Sequence, residues 1–297
     1  MSLFRRRLME GFHQQKYIRF RDPAVRAWAL AHFDKDGDGR ISYKEAQNVT
    51  DEEFQAAGIG KIAFDYFDEF RFFTKITKVT QYFGRKKANS ITFPSVPLQI
   101  NYVSAYNVHI SSEISGRLRV DNLFVKDNAV IKSLNICNIN KYILKNSTFY
   151  SVEGEMLLSK DKTRLYAFTN IQLGDVIVPA YVTRIESMAI LSAKLTSVVV
   201  PSSVTHIGSH FSSPSVELMD IGENVDTLHA YIGYNSIKLK KIIFRGRIKN
   251  FYSNKQQSFF QLTHQFDIFV RDDDIEYYKG LFKAPYNSYV KSINEMI

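Results

Sequence analysis

The sequence predicts an α+β fold: a β-solenoid of ~22-residue repeats held between two helical caps. Three observations predict it. Four segments align at a fixed period, VIVPAYVTRI (176–185), VVVPSSVTHI (198–207), MDIGENVDTL (219–228) and IIFRGRIKNF (242–251), with offsets of 22, 21 and 23 residues. Ahead of residue 75, capping residues and apolar residues at helical spacing replace the β-branched runs. Behind residue 270, DDDIEYYKGLF (272–282) places three acids where a helix N-terminus favours them.

In chain order, residues 1–21 read as a basic arm that attaches or docks. Residues 1–30 carry seven Lys/Arg (Arg5, Arg6, Arg7, Lys16, Arg19, Arg21, Arg26) against Glu10 and Asp22. Arg5, Arg6 and Arg7 begin like a secretory leader, but GFHQQKYIRF supplies no apolar core, so no signal peptide is expected. No stretch approaches the ~20 apolar residues of a membrane-spanning helix.

Residues 22–74 read as a small helical unit. Asp22 suits an N-cap and Pro23 the first helical position. Val25, Trp28, Ala29 and Phe33 form a stripe at helical spacing. The next twelve residues, DKDGDGRISYKE (34–45), have acids at positions 1, 3 and 5, Gly at 6, Ser at 9 and Glu at 12. They resemble the calcium loop of an EF-hand. A calcium ion wants ~6–8 oxygens. Asp34, Asp36 and Asp38 offer one carboxylate oxygen each, and Arg40 its backbone carbonyl. Ser42 acts directly or through water, and Glu45 gives two oxygens. Gly39 permits the sharp turn and Ile41 points to the core. Tyr43 to Asn48 reads as the exiting helix, and Thr50 with Glu53 as a capping box that opens another. FDYFDEFRFF (64–73) reads as a third, aromatic-rich helix. No second loop of this kind follows in the sequence, so calcium is expected as a clip on the cap rather than as a sensor.

Residues 75–270 read as the solenoid, with an insert at 147–174. In each aligned segment a short strand precedes a turn residue (Pro179, Pro201, Gly222, Arg245). An apolar residue follows (Val182, Val204, Val225, Ile248), and three residues on comes another (Ile185, Ile207, Leu228, Phe251). One coil cannot bury such a row alone, so coils stack and homologous residues form inward columns. Weaker echoes occur at irregular spacing: ITFPSV (91–96), VHISSEI (108–114), NLFVKDNAV (122–130) and LNICNI (134–139). The last holds Cys137, read as a small core residue; as the single cysteine it excludes an intrachain disulfide. EGEMLLSKDKTRLYAF (153–168) reads as a β-hairpin turning at 160–162. FDIFV (266–270) reads as a strand, and 271–297 as the closing helical cap.

Together these residues resemble the BspA-like leucine-rich-repeat family of Bacteroidales. VPSSVTHIG (200–208) is similar to the family's IPxSVTxIG. GEMLLSKDKTRLYAF followed by VIVPAYVTRI resembles the insert that precedes a fresh run of repeats there. The DIEYYK…SYVKSI tail is similar to the family's helical C-terminus. HFSSPS (210–215) and MAILSA (188–193) stand where the family carries AFxxC, so its cysteine ladder is absent. The resemblance implies a leucine-rich-repeat solenoid behind an EF-hand-like cap. The basic MSLFRRRLM start is similar to that of relatives encoded by phages and prophages, which implies a virion or tail-associated protein.

Chemistry is sparse. The net charge is +9, but the cations are scattered among strands with no nucleic-acid motif, so no specific nucleic acid is expected as partner. There is no GxSxG, HExxH, P-loop or GxGxxG. His206 and His210 have HxxxH spacing without a third ligand. The Phe/Tyr clusters at 64–73 and 251–260 read as packed cap cores rather than sugar platforms. The expected function is therefore non-enzymatic: a calcium-stabilised leucine-rich-repeat solenoid that recognises a protein or glycan, with no catalytic residues. A bacterial surface adhesin and a glycan-active enzyme with its site in 97–150 are the alternatives.

Overall fold

A computed structural model describes residues 16–132, 138–191, 193–252, 264–282 and 284–296. The chain divides into two units, Met1–Thr148 and Phe149–Ile297. Cys137 and most of the 251–260 aromatic cluster lie outside the described residues.

The first unit opens with α1 (Pro23–Phe33), α2 (Tyr43–Asn48) and α3 (Asp51–Ala57). The caps at Asp22 and Thr50 fall where the sequence puts them, and Ser42 adds one that it did not announce. Asp22 Oδ1 accepts the N–H groups of Ala24 and Val25, and Ser42 and Thr50 each form a capping box with a Glu three residues on. Trp28 packs edge to face on Phe33 at 5.1 Å and on Phe54 at 5.4 Å, and its indole N–H donates to Ala57 O at 2.8 Å.

Phe64–Phe73 is not the helix that its aromatic run predicts. Tyr66–Phe67 is a strand, β1, and Asp68–Phe72 is a 3₁₀ helix. Phe64, Phe67, Phe70 and Phe73 recur every third residue, the 3₁₀ period, and all are at most 2% exposed. Outside contacts hold the segment in this form. Asp22 Oδ2 accepts the N–H groups of Asp65 (2.6 Å) and Tyr66 (3.2 Å), and Asp68 accepts from the Ser90 and Thr92 hydroxyls.

The sheet of this unit runs β1-β2-β3-β4-β5, all parallel, with β2 (Lys78–Thr92), β3 (Leu98–Ile110), β4 (Ile114–Lys126) and β5 (Asn138–Lys145). These strands are far longer than the echoes in the sequence suggest. They turn corners without breaking. At Asn89–Ser90, Tyr106–Asn107, Asp121–Asn122 and Asn140–Lys141, two consecutive residues face away from the core between buried neighbours. Side-chain amides tie the corners together from coil to coil: Asn107 to Asn89 O, Asn122 to Asn107 Oδ1 and Asn140 to Asp121 Oδ1, at 2.9–3.0 Å.

The second unit begins with an antiparallel meander, β6 (Tyr150–Glu153), β7 (Met156–Ser159) and β8 (Arg164–Phe168). It contains the hairpin expected at 153–168. Then come β9 (Gln172–Ile177), β10 (Arg184–Ile185), β11 (Lys194–Val200), β12 (His206–Ile207), β13 (Leu218–Ile221), β14 (Thr227–His229), β15 (Lys241–Phe244), β16 (Asn250–Tyr252), β17 (Asp267–Val270) and β18 (Val290–Ser292). They alternate between two parallel sheets, β9-β11-β13-β15-β17-β18 and β8-β10-β12-β14-β16. The register reproduces the sequence period: Ile185, Ile207, Leu228 and Phe251 are neighbours on successive coils. Val182, Val204, Val225 and Ile248 are at most 1% exposed, and each such side chain contributes about 1.5–3 kcal/mol by leaving water. The turn before each of the first three is closed by its N–H donating to the carbonyl of Pro179, Pro201 or Gly222 at 3.0–3.3 Å. A Cβ on Gly246 would collide with the Glu223 carbonyl of the preceding coil.

The last coil has no successor, and α4 (Ile275–Leu281) stands in for one. Tyr278, fully buried, donates its hydroxyl to Gly246 O at 2.7 Å and accepts the Ile248 N–H at 3.1 Å. The segment 271–297 is not wholly helical, since β18 adds a strand beside β17. No helix of the described residues is long and apolar enough to cross a membrane.

A candidate calcium loop and its supports

The loop begins where α1 ends, at its C-cap Asp34, and finishes inside α2 at Glu45. Its turns are made by the acids themselves. Gly39 N–H donates to Asp34 Oδ2 at 2.9 Å, Asp38 N–H to Asp36 Oδ1 at 3.2 Å, and Arg40 N–H to Asp38 Oδ1 at 2.9 Å. Gly37 and Gly39 take φ of +69° and +77°, a region that costs a side chain dearly. One carboxylate oxygen from each of Asp34, Asp36 and Asp38 lies within 4.8 Å of the others. Asp34 Oδ1 is buried and has no hydrogen-bond partner. Three converging carboxylates repel one another, and a buried orphaned oxygen carries a desolvation cost. The donors fit a hard divalent cation, which takes oxygen ligands at this spacing.

The remaining expected ligands are placed differently. Arg40 turns its guanidinium away, 4.5 Å over the Tyr17 ring, as a residue serving through its carbonyl should. Ile41 is buried. Ser42 and Glu45 hold each other: Glu45 Oε2 accepts from the Ser42 N–H and hydroxyl, both at 2.7 Å, while Ser42 Oγ accepts the Glu45 N–H. Glu45 Oε1 accepts the Lys35 N–H at 2.9 Å, so this carboxylate straps the end of the loop to its start. Burial alone would raise the Glu45 carboxyl, but the hydrogen bonds from Ser42 and Lys35 outweigh it and hold the group below its ordinary value.

One support was not legible in the sequence. Ile18 N–H donates to Ile41 O at 2.7 Å, Tyr43 N–H donates to Lys16 O at 3.2 Å, and Tyr17 bridges Ser42 antiparallel. Lys16–Ile18 thus lies antiparallel against the loop through an isolated bridge and two backbone hydrogen bonds. The boundary at residue 21 moves accordingly. Ile18 is buried, Arg21 N–H donates to Glu69 Oε1, and the Arg21 guanidinium lies 3.3 Å over the Tyr66 ring. Lys16–Arg21 is part of the first unit, while residues 1–15 of the arm lie outside the described residues.

The histidines of the HxxxH pair are not brought together as ligands. His206 lies 5.0 Å from the His229 ring, and His210 stacks on Tyr231 at 4.4 Å. Among the described residues, only Asp34, Asp36 and Asp38 group as potential metal ligands.

The coil geometry has a counterpart among known families. Residues 138–264 match the BspA type leucine rich repeat region, in six copies. The fold is that of a leucine-rich-repeat β-solenoid, and the matched segment contains the columns of Val182, Val204, Val225 and Ile248. No curated protein matches the chain. Among solved structures, it is similar to the crystal structure of the pneumococcal vaccine antigen PcpA, at 12% identity and a TM-score of 0.35, over 73% of this chain and 83% of that one. A likeness that slight bears no weight for function.

Proposed function

We propose that this chain is a repeat-built recognition protein that binds a protein or glycan on the outer faces of its stacked coils, does no chemistry of its own, and is braced by calcium at Asp34, Asp36 and Asp38. The observation that carries the reading is the register of outward side chains. Arg164, Arg184, His206, Thr227 and Asn250 stand side by side on β8, β10, β12, β14 and β16. Such rows offer a large, rigid, pre-ordered surface, the kind that solenoids use for binding. Several acids nearby are already committed. Glu186 pairs with Arg164 and Arg184, Asp220 with Arg245, and Asp274 with Arg247 and Arg271. Carboxylates held in ion pairs suit a rigid scaffold better than proton transfer.

Calcium supports the orphaned Asp34 Oδ1 and relieves the repulsion among the three acids; Glu45, once turned from Ser42, would add two oxygens. The setting proposed is a virion or tail-associated component, supported by the likeness of the basic start to phage-encoded relatives. Screening the full chain on glycan and protein arrays, with and without calcium, tests the function. Binding without turnover of the ligand is expected; turnover of a glycan would replace the reading with an enzymatic one. Mass spectrometry of purified particles tests the setting, with recovery from the bacterial surface alone as the contrary result.

A further inference from the structure

We infer that one outward face of the first unit is a binding surface for acidic glycans, polysaccharides with a carboxylate or sulfate on their sugars. This rests on the recognition reading and names its ligand class. Register builds the face. Tyr82, Tyr102 and Arg117 are neighbours across β2, β3 and β4, and Ser104, Arg119 and Asn138 across β3, β4 and β5. Phe83, Val103 and Leu118, between the two rows, are buried, so both rows point to solvent.

The sheet is deliberately irregular here. From Phe83 to Ala88, β2 takes five steps while β3 takes two, from Val103 to Ala105. A β-bulge ordinarily adds one residue and re-aims side chains. This one adds three, and the residues it holds are Gly84, Arg85, Lys86 and Lys87. Its backbone is anchored by Arg85 N–H donating to Ile62 O at 2.9 Å. Lys86 pairs with Asp65 and Lys87 with Asp121, both at 2.8 Å. Arg85, Arg117 and Arg119 are exposed, and no ion pair ties them to a carboxylate of the described residues. Arg117 and Arg119 stand two residues apart on one face of β4 and Arg85 lies in the bulge of β2, and an oxyanion meets such a guanidinium fork with two hydrogen bonds.

The tyrosines select among anions. Tyr82 is 61% and Tyr106 46% exposed. Lys87 Nζ sits 4.0 Å over the Tyr106 ring, and Tyr82 and Tyr102 lean on each other at 5.2 Å and 57°. Ring edges and hydroxyls are on offer more than free ring faces. That favours sugar hydroxyls over the stacked bases of a single-stranded nucleic acid, which need open faces.

The test uses the full chain with polygalacturonate, heparin, neutral dextran and oligo(dT) as probes, by calorimetry or biolayer interferometry. Wild type is expected to bind polygalacturonate or heparin but not dextran, more weakly as salt rises. The triple variant Arg85→Ala/Arg117→Ala/Arg119→Ala should lose roughly tenfold or more in affinity. Lys194→Ala/Lys238→Ala/Lys249→Ala, which removes the same charge from the second unit, should change it by less than about twofold. Equal losses in both variants would reduce the effect to net charge and overturn the proposal. Tighter binding to oligo(dT) than to either glycan would also overturn it. Array ligands bound regardless of the three arginines would overturn this face while leaving the recognition reading intact; no ligand on any array would remove both.

Discussion

The two units build one kind of object, a stack of parallel coils, by different rules. In Phe149–Ile297 a coil is a strand of two to seven residues, a turn, and another short strand, repeated every 21–23 residues from β9 to β15. In Met1–Thr148, β2 to β5 run on for 8–15 residues, and corners are made by two successive outward residues. There the step between coils drifts: Ile91 to Val108 is 17 residues, Val108 to Leu123 is 15 and Leu123 to Tyr142 is 19. A turn that needs Pro179, Pro201 or Gly222 at a fixed place keeps its period. A corner such as Tyr106–Asn107 tolerates most polar pairs and lets the period slip.

If the second unit depends on strict stacking, Val204→Asp should be its most damaging change. The carboxylate would be buried in the inward column without a partner, at a cost upwards of about 4 kcal/mol. Urea unfolding followed by circular dichroism should lose the transition of that unit at low denaturant. A variant with wild-type stability would mean the column is wrong.

The cap of the last coil comes next in size. Asp274 is 1% exposed and receives hydrogen bonds from Arg247 and Arg271 at 2.8–2.9 Å. Burial alone would raise its carboxyl, but those contacts prevail and lower it. A lowered carboxyl contributes stability that is present above the unfolded value and lost as pH falls through the folded one. Asp274→Asn should therefore cost about 2–3 kcal/mol at pH 7 and progressively less in acid. Thermal melts across pH check both the size and the trend; a cost that persists undiminished in acid would assign the effect to packing.

The first unit holds the opposite case. Glu69 is buried with Oε2 unpartnered, and burial raises its carboxyl. A raised carboxyl weakens the fold as pH climbs above the unfolded value, because the unfolded chain then ionises more readily. Glu69→Gln keeps an acceptor for the Arg21 N–H and should raise stability by about 1 kcal/mol at pH 7, with the gain vanishing near pH 4. A loss at pH 7 would show that the charge is used.

Much of this was legible. The inward column, its register and the hairpin could be read because β-branched residues and turn residues recur together. The convergence of Asp34, Asp36 and Asp38 and the left-handed turn at Gly39 could be read because acids at alternate positions followed by glycine form a recognisable pattern. Three things could not. The aromatic run at Phe64–Phe73 has a spacing that a buried helix and a 3₁₀ segment share, and only contacts from Asp22 and Ser90 decide between them. The bridging segment Lys16–Ile18 is too short to carry a period. The bulge at Gly84–Lys87 looks in sequence like any basic loop, and only the register against Val103–Ala105 shows that it sits in a sheet.

Amide hydrogen exchange of the whole chain, with calcium and with a chelator, tests the calcium brace most directly, because it reads the two units separately in one sample. A dissociation constant of about 10 μM in about 1 mM calcium stabilises the folded loop by about 2.7 kcal/mol. The account predicts calcium-dependent slowing at Ile18, Gly39, Arg40 and Tyr43 and through α3, abolished by Asp34→Ala with Glu45→Gln, and no change at β10–β16. Exchange that ignores calcium throughout the first unit, or that responds equally in the second, would contradict it.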